Sequence, residues 1–242
     1  MARVRTLPQA AAWIDKVGLA LVFPKPDIVL PSLWEQVNGS PERNWSVRSP
    51  DGTFVSWTKE LGFLWGAKDE LPAQGLACVG KHLTRAATCV APRLVPALVA
   101  AKGDAELEGL EAAVADAVAG EGPLTGPQLR ELVGAEKKSV DKAIATLHRQ
   151  LVLTNSHLVE QDGPWGAIAH DLLARKWPLP KRLPGQPEAR RELARTVLAA
   201  NDELTAADLA SALGWRRKEA AAVLDQVAEG RDAGGFRIWA RP

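Results

Sequence analysis

Two stretches of the chain, 80 positions apart, repeat one pattern of apolar and polar residues. One begins at Thr125 and the other at Thr205, and each continues with leucine four positions later, an aliphatic residue eight later and glycine nine later. A threonine oxygen can cap a helix, positions four apart share one helical face, and glycine ends a helix at little steric cost. A basic pair follows each glycine. The repeat predicts two helix–turn–helix units of the kind found in tandem winged-helix modules.

The apolar spacing places each of these units within a longer series of elements. In the first module we predict helices at 104–119, 126–133 and 136–150, a wing that turns at Asn155-Ser156, and a further helix at 165–177. In the second module we predict helices at 187–200, 205–213 and 216–229, and a wing near 230–241 that turns at Gly234-Gly235. A hairpin turn favours glycine because both central residues need positive φ.

The first 103 residues predict short helices and strands in alternation. Helices are expected at 7–17, 31–39, 53–66 and 92–102, and a polar break at 68–72. Apolar runs at 76–79 and 87–90 predict a β-hairpin with a basic tip at 81–85.

The fold class that follows is mainly α with short β-hairpins, built on tandem winged helix-turn-helix modules. Its expected divisions are an N-terminal α/β-hairpin domain (1–103), the first winged-helix module (104–177), a proline-rich linker (178–186) and the second module (187–242). A divergent winged helix stays open as the form of the N-terminal domain.

Composition is that of an ordinary globular protein. Hydrophobic residues make up 46% and charged residues 24% of the 242 positions. No apolar run has the length of a membrane span and no signal-peptide pattern opens the chain. Cys78 and Cys89 are too few for a disulfide framework. We therefore expect a cytoplasmic protein, associated with the nucleoid if it binds DNA, and no membrane partner.

The charge is unevenly distributed. Net charge is +4 over residues 1–103, −6 over 104–175 and +3 over 176–242. A nucleic-acid binder usually presents a basic face. The acidic middle therefore counts against DNA contact through the first module, and it also suits a protein-interaction surface.

Basic residues in three settings are the candidates for DNA contact. In a winged helix the third helix enters the major groove, so basic residues near its start can reach phosphates and bases. A wing strand or a hairpin tip can place further cations along the phosphate backbone of the DNA. The candidates are Arg216, Arg217, Lys218, Lys137, Lys138 and Lys142 on the third helices, Arg237 and Arg241 on the second wing, and Lys81 and Arg85 at the hairpin tip. A solvated helix face or a charged edge strand is the alternative explanation for each.

No motif points to catalysis, a metal or a cofactor. The four histidines are scattered, there is no Cys-X-X-Cys, and neither a glycine-rich phosphate loop nor a nucleophile elbow is present. His148 is expected to be exposed on its helix. Adjacent Asp69 and Glu70 point in different directions on a helix, which favours capping or an ion pair over paired acid–base work. No catalytic residue, metal or cofactor is therefore expected.

Scattered short motifs resemble a bacterial family. In order they are Val17-Gly18, Pro31-Ser32-Leu33-Trp34, Trp65, Lys68-Asp69-Glu70-Leu71-Pro72, Gly80-Lys81 and the two helix–turn–helix units. Together they resemble winged-helix proteins related to the AlkZ/YcaQ DNA glycosylases. The resemblance implies tandem winged helices and action on alkylated or crosslinked DNA. Those enzymes carry a Gln-X-Gln or Gln-X-Asp motif, which none of the glutamines here forms. The resemblance is therefore to a non-enzymatic AlkZ-related branch.

The main hypothesis is a DNA-binding protein, acting in genome maintenance or transcription on duplex or damaged DNA. A DNA glycosylase is the first alternative, with Glu35, Gln36, Asp69 and Glu70 as the polar residues to test. A winged-helix protein–protein interaction module is the second alternative, and a homodimer is kept open.

Overall fold

The protein is a mainly helical chain with four small antiparallel sheets among the residues described by the computed structural model, which are 3–160, 166–233 and 236–240. The helices are α1 (Leu7–Val17), α2 (Leu33–Asn38), α3 (Lys59–Ala73), α4 (Val95–Lys102, after a 3₁₀ turn at Pro92–Leu94), α5 (Gly109–Glu121), α6 (Gly126–Val133), α7 (Lys137–Arg149), α8 (Leu173–Lys176), α9 (Gln186–Ala199), α10 (Ala206–Leu213) and α11 (Arg217–Val227). The strands are β1 (Leu19–Leu21), β2 (Ser46–Arg48), β3 (Phe54–Trp57), β4 (Cys78–Gly80), β5 (Thr88–Val90), β6 (Leu124–Thr125), β7 (Leu153–Val159), β8 (Ala167–Leu172), β9 (Glu203–Thr205), β10 (Glu229–Ala233) and β11 (Phe236–Ala240). This confirms the expected fold class of helices with short hairpins. Across the described ranges, no helix has the length and apolarity to cross a membrane.

The predicted hairpin near residue 80 is confirmed. Strands β4 and β5 pair antiparallel with Cys78 opposite Val90, and β1 adds to the other side of β5 with Leu19 opposite the same valine. Helices α1, α2 and α3 bury Ile14, Trp34 and Leu64 in one cluster beside this sheet. Both cysteines are buried and free.

The helix predicted at 53–66 is wrong in its first half. Residues 54–57 form strand β3, which pairs with β2, and the Thr58 hydroxyl accepts the Leu61 N–H where α3 begins. The polar break predicted at 68–72 is also wrong, because α3 continues to Ala73. Leu64 and Leu71 are fully buried along α3. Their burial outweighs the polar residues between them, and Pro72 lies in the last turn of α3, where its missing N–H and its ring disturb only the end of the helix.

The first predicted helix pair is confirmed as α6 and α7. Thr125 and Gln128 form a reciprocal capping box, and Gly134 ends α6 in the left-handed conformation at φ 63°. Helix α5 packs on the pair, and Val114, Leu129 and Leu147 lie in their common core. The helix expected from 104 begins later, at Gly109.

The elements predicted after α7 are wrong. No turn occurs at Asn155-Ser156, since β7 runs through both residues with an irregularity before His157. Residues 167–172, expected within a helix from 165 to 177, form strand β8, and only α8 is helical there. Strand β8 pairs with β7 and β6 on its two sides. The β6 partners lie more than 40 positions before β8 in sequence, and such a pairing is not revealed by local spacing.

The second predicted helix pair is confirmed as α10 and α11. The Thr205 capping box with Asp208 begins α10, and Gly214 ends it at φ 68°. Leu193 of α9, Leu209 and Leu224 share one core cluster with Leu94 and other residues from the N-terminal third. Strands β10 and β11 form the expected hairpin, whose predicted turn at Gly234-Gly235 lies outside the described residues.

Candidate nucleic-acid interface

A cleft of about 310 Å³ opens where the β4–β5 hairpin tip meets the turn between α10 and α11. The C-terminal ends of α4 and α7 and one face of α9 complete its walls. Its lining residues are His82, Leu83, Leu98, Ala101, Lys102, Arg149, Leu151, Arg190, Leu193, Leu213, Gly214, Trp215, Arg216 and Glu219. The cleft is therefore formed by segments that are up to 137 positions apart in sequence.

The hairpin tip and the α10–α11 turn, which form two walls of the cleft, approach each other closely at Gly214. A Cβ atom built on this glycine would lie 2.6 Å from the Leu83 carbonyl oxygen at the hairpin tip. Gly134 occupies the equivalent turn of the first helix pair, and a Cβ there would meet nothing within 4 Å. The turn after α10 therefore needs glycine both for its positive φ and for its contact with the tip.

Four cationic side chains line the cleft, against one carboxylate. They are Lys102, Arg149, Arg190 and Arg216. Arg149 donates to the Thr146 hydroxyl (3.1 Å), whereas Arg190 donates to the Ala101 carbonyl and lies over the Trp215 ring, 5.8 Å from its centroid. The Glu219 carboxylate accepts the backbone N–H of Arg216 at 3.2 Å. Within the described ranges, none of the four cations forms a salt bridge.

Three histidines form a buried series behind the cleft wall. The Lys81 N–H donates to His148 Nδ1 at 3.3 Å, so neutral His148 carries its hydrogen on Nε2 and donates it to His170 Nδ1 at 3.1 Å. The His82 and His148 rings stack with centroids 5.3 Å apart. Burial lowers the pKa of His82 and of His170 to about 4. Burial, followed by the neighbouring histidines and Lys81, lowers the pKa of His148 well below 6.5. The series is therefore neutral at pH 7.

The expectation that His148 is exposed on its helix is wrong. Its side chain lies at the buried side of α7, and the residue is 3% exposed. The lysine that precedes His82 in sequence supplies the hydrogen bond to His148, so the hairpin tip determines the environment of α7 here. Adjacent Arg149, by contrast, reaches the cleft.

The structure brings some of the predicted site residues to the cleft. Arg216 lines it, and Arg217 and Lys218 follow at the exposed start of α11. Lys81 and Arg85 are exposed at the hairpin tip, on either side of lining residues His82 and Leu83. Of these predicted basic residues, Arg216 therefore lines the cleft, and the others are exposed near lining residues in sequence.

The basic residues of the first helix pair lie elsewhere. Lys137, Lys138 and Lys142 are exposed near the start of α7, whereas Arg149 reaches the cleft from its other end. A rise of 1.5 Å per residue separates Lys137 from Arg149 by about 18 Å along the helix. These lysines do not belong to the cleft.

The β10–β11 hairpin holds Arg237 against the protein. Its guanidinium lies 5.4 Å from the centroid of the Trp239 ring and 3.2 Å from an Asp225 carboxylate oxygen. Trp239 is buried and donates to the same aspartate, so the face that it shares with Arg237 packs toward α11. Arg241 lies outside the described residues.

Three lining residues, Lys102, Arg149 and Arg190, are not among the site residues predicted from the sequence. They lie on three different helices, and each looks like an ordinary surface residue of its own helix. No local signal marks them, because only the packing of α4, α7 and α9 makes them converge.

Comparison with known proteins identifies the family of this chain. A family model described as "DNA glycosylase AlkZ-like" matches residues 81–242, more than half of the chain. The chain belongs to the AlkZ-like family. No curated protein and no solved structure matches it. The match to this AlkZ-like protein covers the hairpin tip, both helix pairs and every residue that lines the cleft.

Proposed function

We propose that this AlkZ-like protein binds DNA through tandem winged helices and acts in genome maintenance or transcription. Its family is named for enzymes that act on DNA. The chain contributes a cleft with four cations free of salt bridges within the described ranges, surrounded by further exposed cations. This unpaired positive charge is the observation that carries the proposal, because DNA affinity comes largely from phosphate neutralisation.

The two proposed winged helices match in element order and in sheet order. Each unit has a helix, a short strand, a helix pair and a hairpin: α5 to β8 in one unit and α9 to β11 in the other. In each three-stranded sheet, the last strand is central and pairs with the short strand on one side and its hairpin partner on the other. Matching threonine capping boxes and left-handed glycines support a repeated unit.

The starts of α7 and α11 are the proposed groove-facing ends. Lys137 and Lys138 begin one helix, and Arg217 and Lys218 the other; all four are exposed. In winged helices this end of the third helix contacts bases and phosphates. We place the stronger contact at α11, because the hairpin tip and the cleft add positive charge beside it.

A salt-dependent binding series tests the function. Affinity for a short duplex with 5′-hydroxyl ends would be measured by fluorescence anisotropy between 50 and 200 mM salt, a range over which ~10 phosphate contacts change affinity greatly. The double variant Arg217→Glu/Lys218→Glu should bind at least about tenfold more weakly, with a slope of log affinity against log salt reduced by about two. A double variant at Lys181 and Arg182, an exposed basic pair in the linker, makes the same charge change and should stay within about twofold of the wild type.

Equal affinities of the two double variants would refute the proposed surface. The corresponding pair Lys137→Glu/Lys138→Glu separates the contributions of the modules. A dimer without DNA affinity at low salt would instead support a protein-interaction module.

Glycosylase activity is the second candidate, because the matching family model is described as a DNA glycosylase family. The Glu35 carboxylate is engaged in the α2 capping box and accepts from the Ser32 hydroxyl at 2.6 Å. Asp69 is largely buried and accepts from Lys68 Nζ at 2.7 Å. Burial raises the pKa of Asp69, which the Lys68 hydrogen bond opposes. Release of a free base from alkylated or crosslinked DNA, lost in Asp69→Asn, would establish this activity; absence of release would dismiss it.

A further inference from the structure

The volume and the lining residues of the cleft favour a small anionic ligand. Its volume of about 310 Å³ is at the lower end of small-molecule pockets, roughly 300–1,000 Å³. A single nucleotide unit is the scale that fits, whereas a continuous strand or duplex would contact only the rim.

The charge balance in the cleft favours a doubly charged group. Arg149 donates a hydrogen bond to a hydroxyl and Arg190 donates one to a backbone carbonyl, and both acceptors are neutral. Lys102 and Arg216 have no carboxylate partner in the described part of the chain. Four neighbouring cations facing one carboxylate repel one another until an anion is bound. A phosphodiester in the DNA backbone carries one charge, whereas a phosphomonoester carries about −1.5 to −2 near pH 7. The monoester compensates this lining better.

The rest of the lining suits a nucleoside. Trp215, with Arg190 over its ring, provides an aromatic surface of the kind on which bases stack. Leucines from three helices, the hairpin tip and the segment after α7 complete an apolar wall: Leu98, Leu193, Leu213, Leu83 and Leu151.

One buried polar atom in the wall lacks a partner. His82 is 4% exposed, and its Nε2 has no hydrogen-bond partner among the described residues. Burial lowers the pKa of this imidazole to about 4, and a hydrogen bond with the Leu153 backbone opposes that shift. A buried nitrogen without a partner is costly. This nitrogen faces Gly80, where a Cβ atom would approach it to 2.8 Å, so it belongs to the buried histidine series behind the cleft wall.

We propose that the cleft binds the terminal nucleotide of a DNA chain that ends in a phosphomonoester. The phosphate lies among Lys102, Arg149, Arg190 and Arg216, and the nucleoside lies against Trp215 and the leucines. This inference deepens the proposed DNA-binding function, since a phosphorylated end is where DNA presents a phosphomonoester. It assigns the cleft to chain ends and leaves internal duplex contacts to the start of α11.

The test compares ends on one duplex sequence. Anisotropy with 5′-phosphate, 3′-phosphate and hydroxyl-ended duplexes should show at least about tenfold preference for one phosphorylated end, because hydrogen bonds to charged groups contribute more than neutral ones. Lys102→Glu and Arg149→Gln should each lower the affinity for the preferred phosphorylated duplex more than the affinity for the hydroxyl-ended duplex, so that most of the preference is lost. The Lys181/Arg182 double variant should keep the preference.

Two results would overturn the inference. Equal affinity for all three duplexes in the wild type would rule out an end-binding cleft, even if the α11 variants confirm DNA binding. The second measurement is the binding of deoxyadenosine monophosphate, deoxyadenosine and inorganic phosphate, followed by calorimetry. Binding of the mononucleotide without any preference for phosphorylated ends would make the cleft a small-molecule site and reject the DNA-end assignment.

Discussion

The buried histidine series predicts a steep loss of stability in mild acid. His82, His148 and His170 have lowered pKa values in the folded protein, whereas an unfolded histidine titrates near 6.5. Between these values the unfolded chain binds protons that the folded chain does not. The stabilisation from the neutral series is therefore fully present above about pH 6.5 and is lost as pH falls toward about 4.

The magnitude follows from the pKa difference. A folded pKa of about 4 against 6.5 corresponds to roughly 3 kcal/mol for His82, and less for His170, which retains some exposed surface. Three histidines taking up protons together give a slope of at most about 4 kcal/mol per pH unit. Since domains are typically stable by roughly 5–15 kcal/mol, we expect unfolding to begin near pH 5.

Urea unfolding followed by tryptophan fluorescence between pH 7.5 and 5 measures this slope. The variant His148→Gln should lose about a third of the slope, whatever its stability at neutral pH. His157 is exposed, so His157→Gln is the matched control and should reproduce the wild-type slope. The assigned role of the series would be refuted by identical slopes for the wild type and the His148 variant. It would also be refuted by a wild-type slope that corresponds to the uptake of less than one proton on unfolding.

Two further predictions concern single residues with matched comparisons. Gly134→Ala should cost about 1 kcal/mol for its left-handed backbone, whereas Gly214→Ala should cost roughly 1–3 kcal/mol more because its Cβ would meet the Leu83 carbonyl at 2.6 Å. Equal losses in chemical denaturation would contradict the close packing of the hairpin tip on the α10–α11 turn. Burial raises the pKa of Cys78 and of Cys89 to about 12, so both thiols should resist a thiol reagent at pH 8 until the protein unfolds. Rapid labelling of the native protein would contradict their burial.

The sequence by itself determined the elements whose causes are local. The capping boxes at Thr125 and Thr205 and the left-handed glycines at 134 and 214 depend on residues within four or five positions, so the repeated helix pairs were predicted correctly. The hairpin near residue 80 was also predicted, because two apolar runs flank a short polar tip. The basic start of α11 was recognised for the same reason.

Only the tertiary structure decided the strands and the cleft. Phe54 and Trp57 have helical spacing, and a helix is predicted over residues 167–172, yet pairing with neighbouring strands makes both segments strands: β3 pairs with β2, and β8 pairs with β7 and with the more distant β6. Lys102, Arg149 and Arg190 converge because α4, α7 and α9 pack around the hairpin tip. Burial and unpaired charge are properties of that packing. The sequence of a single helix does not specify which neighbouring elements will exclude water from its side chains.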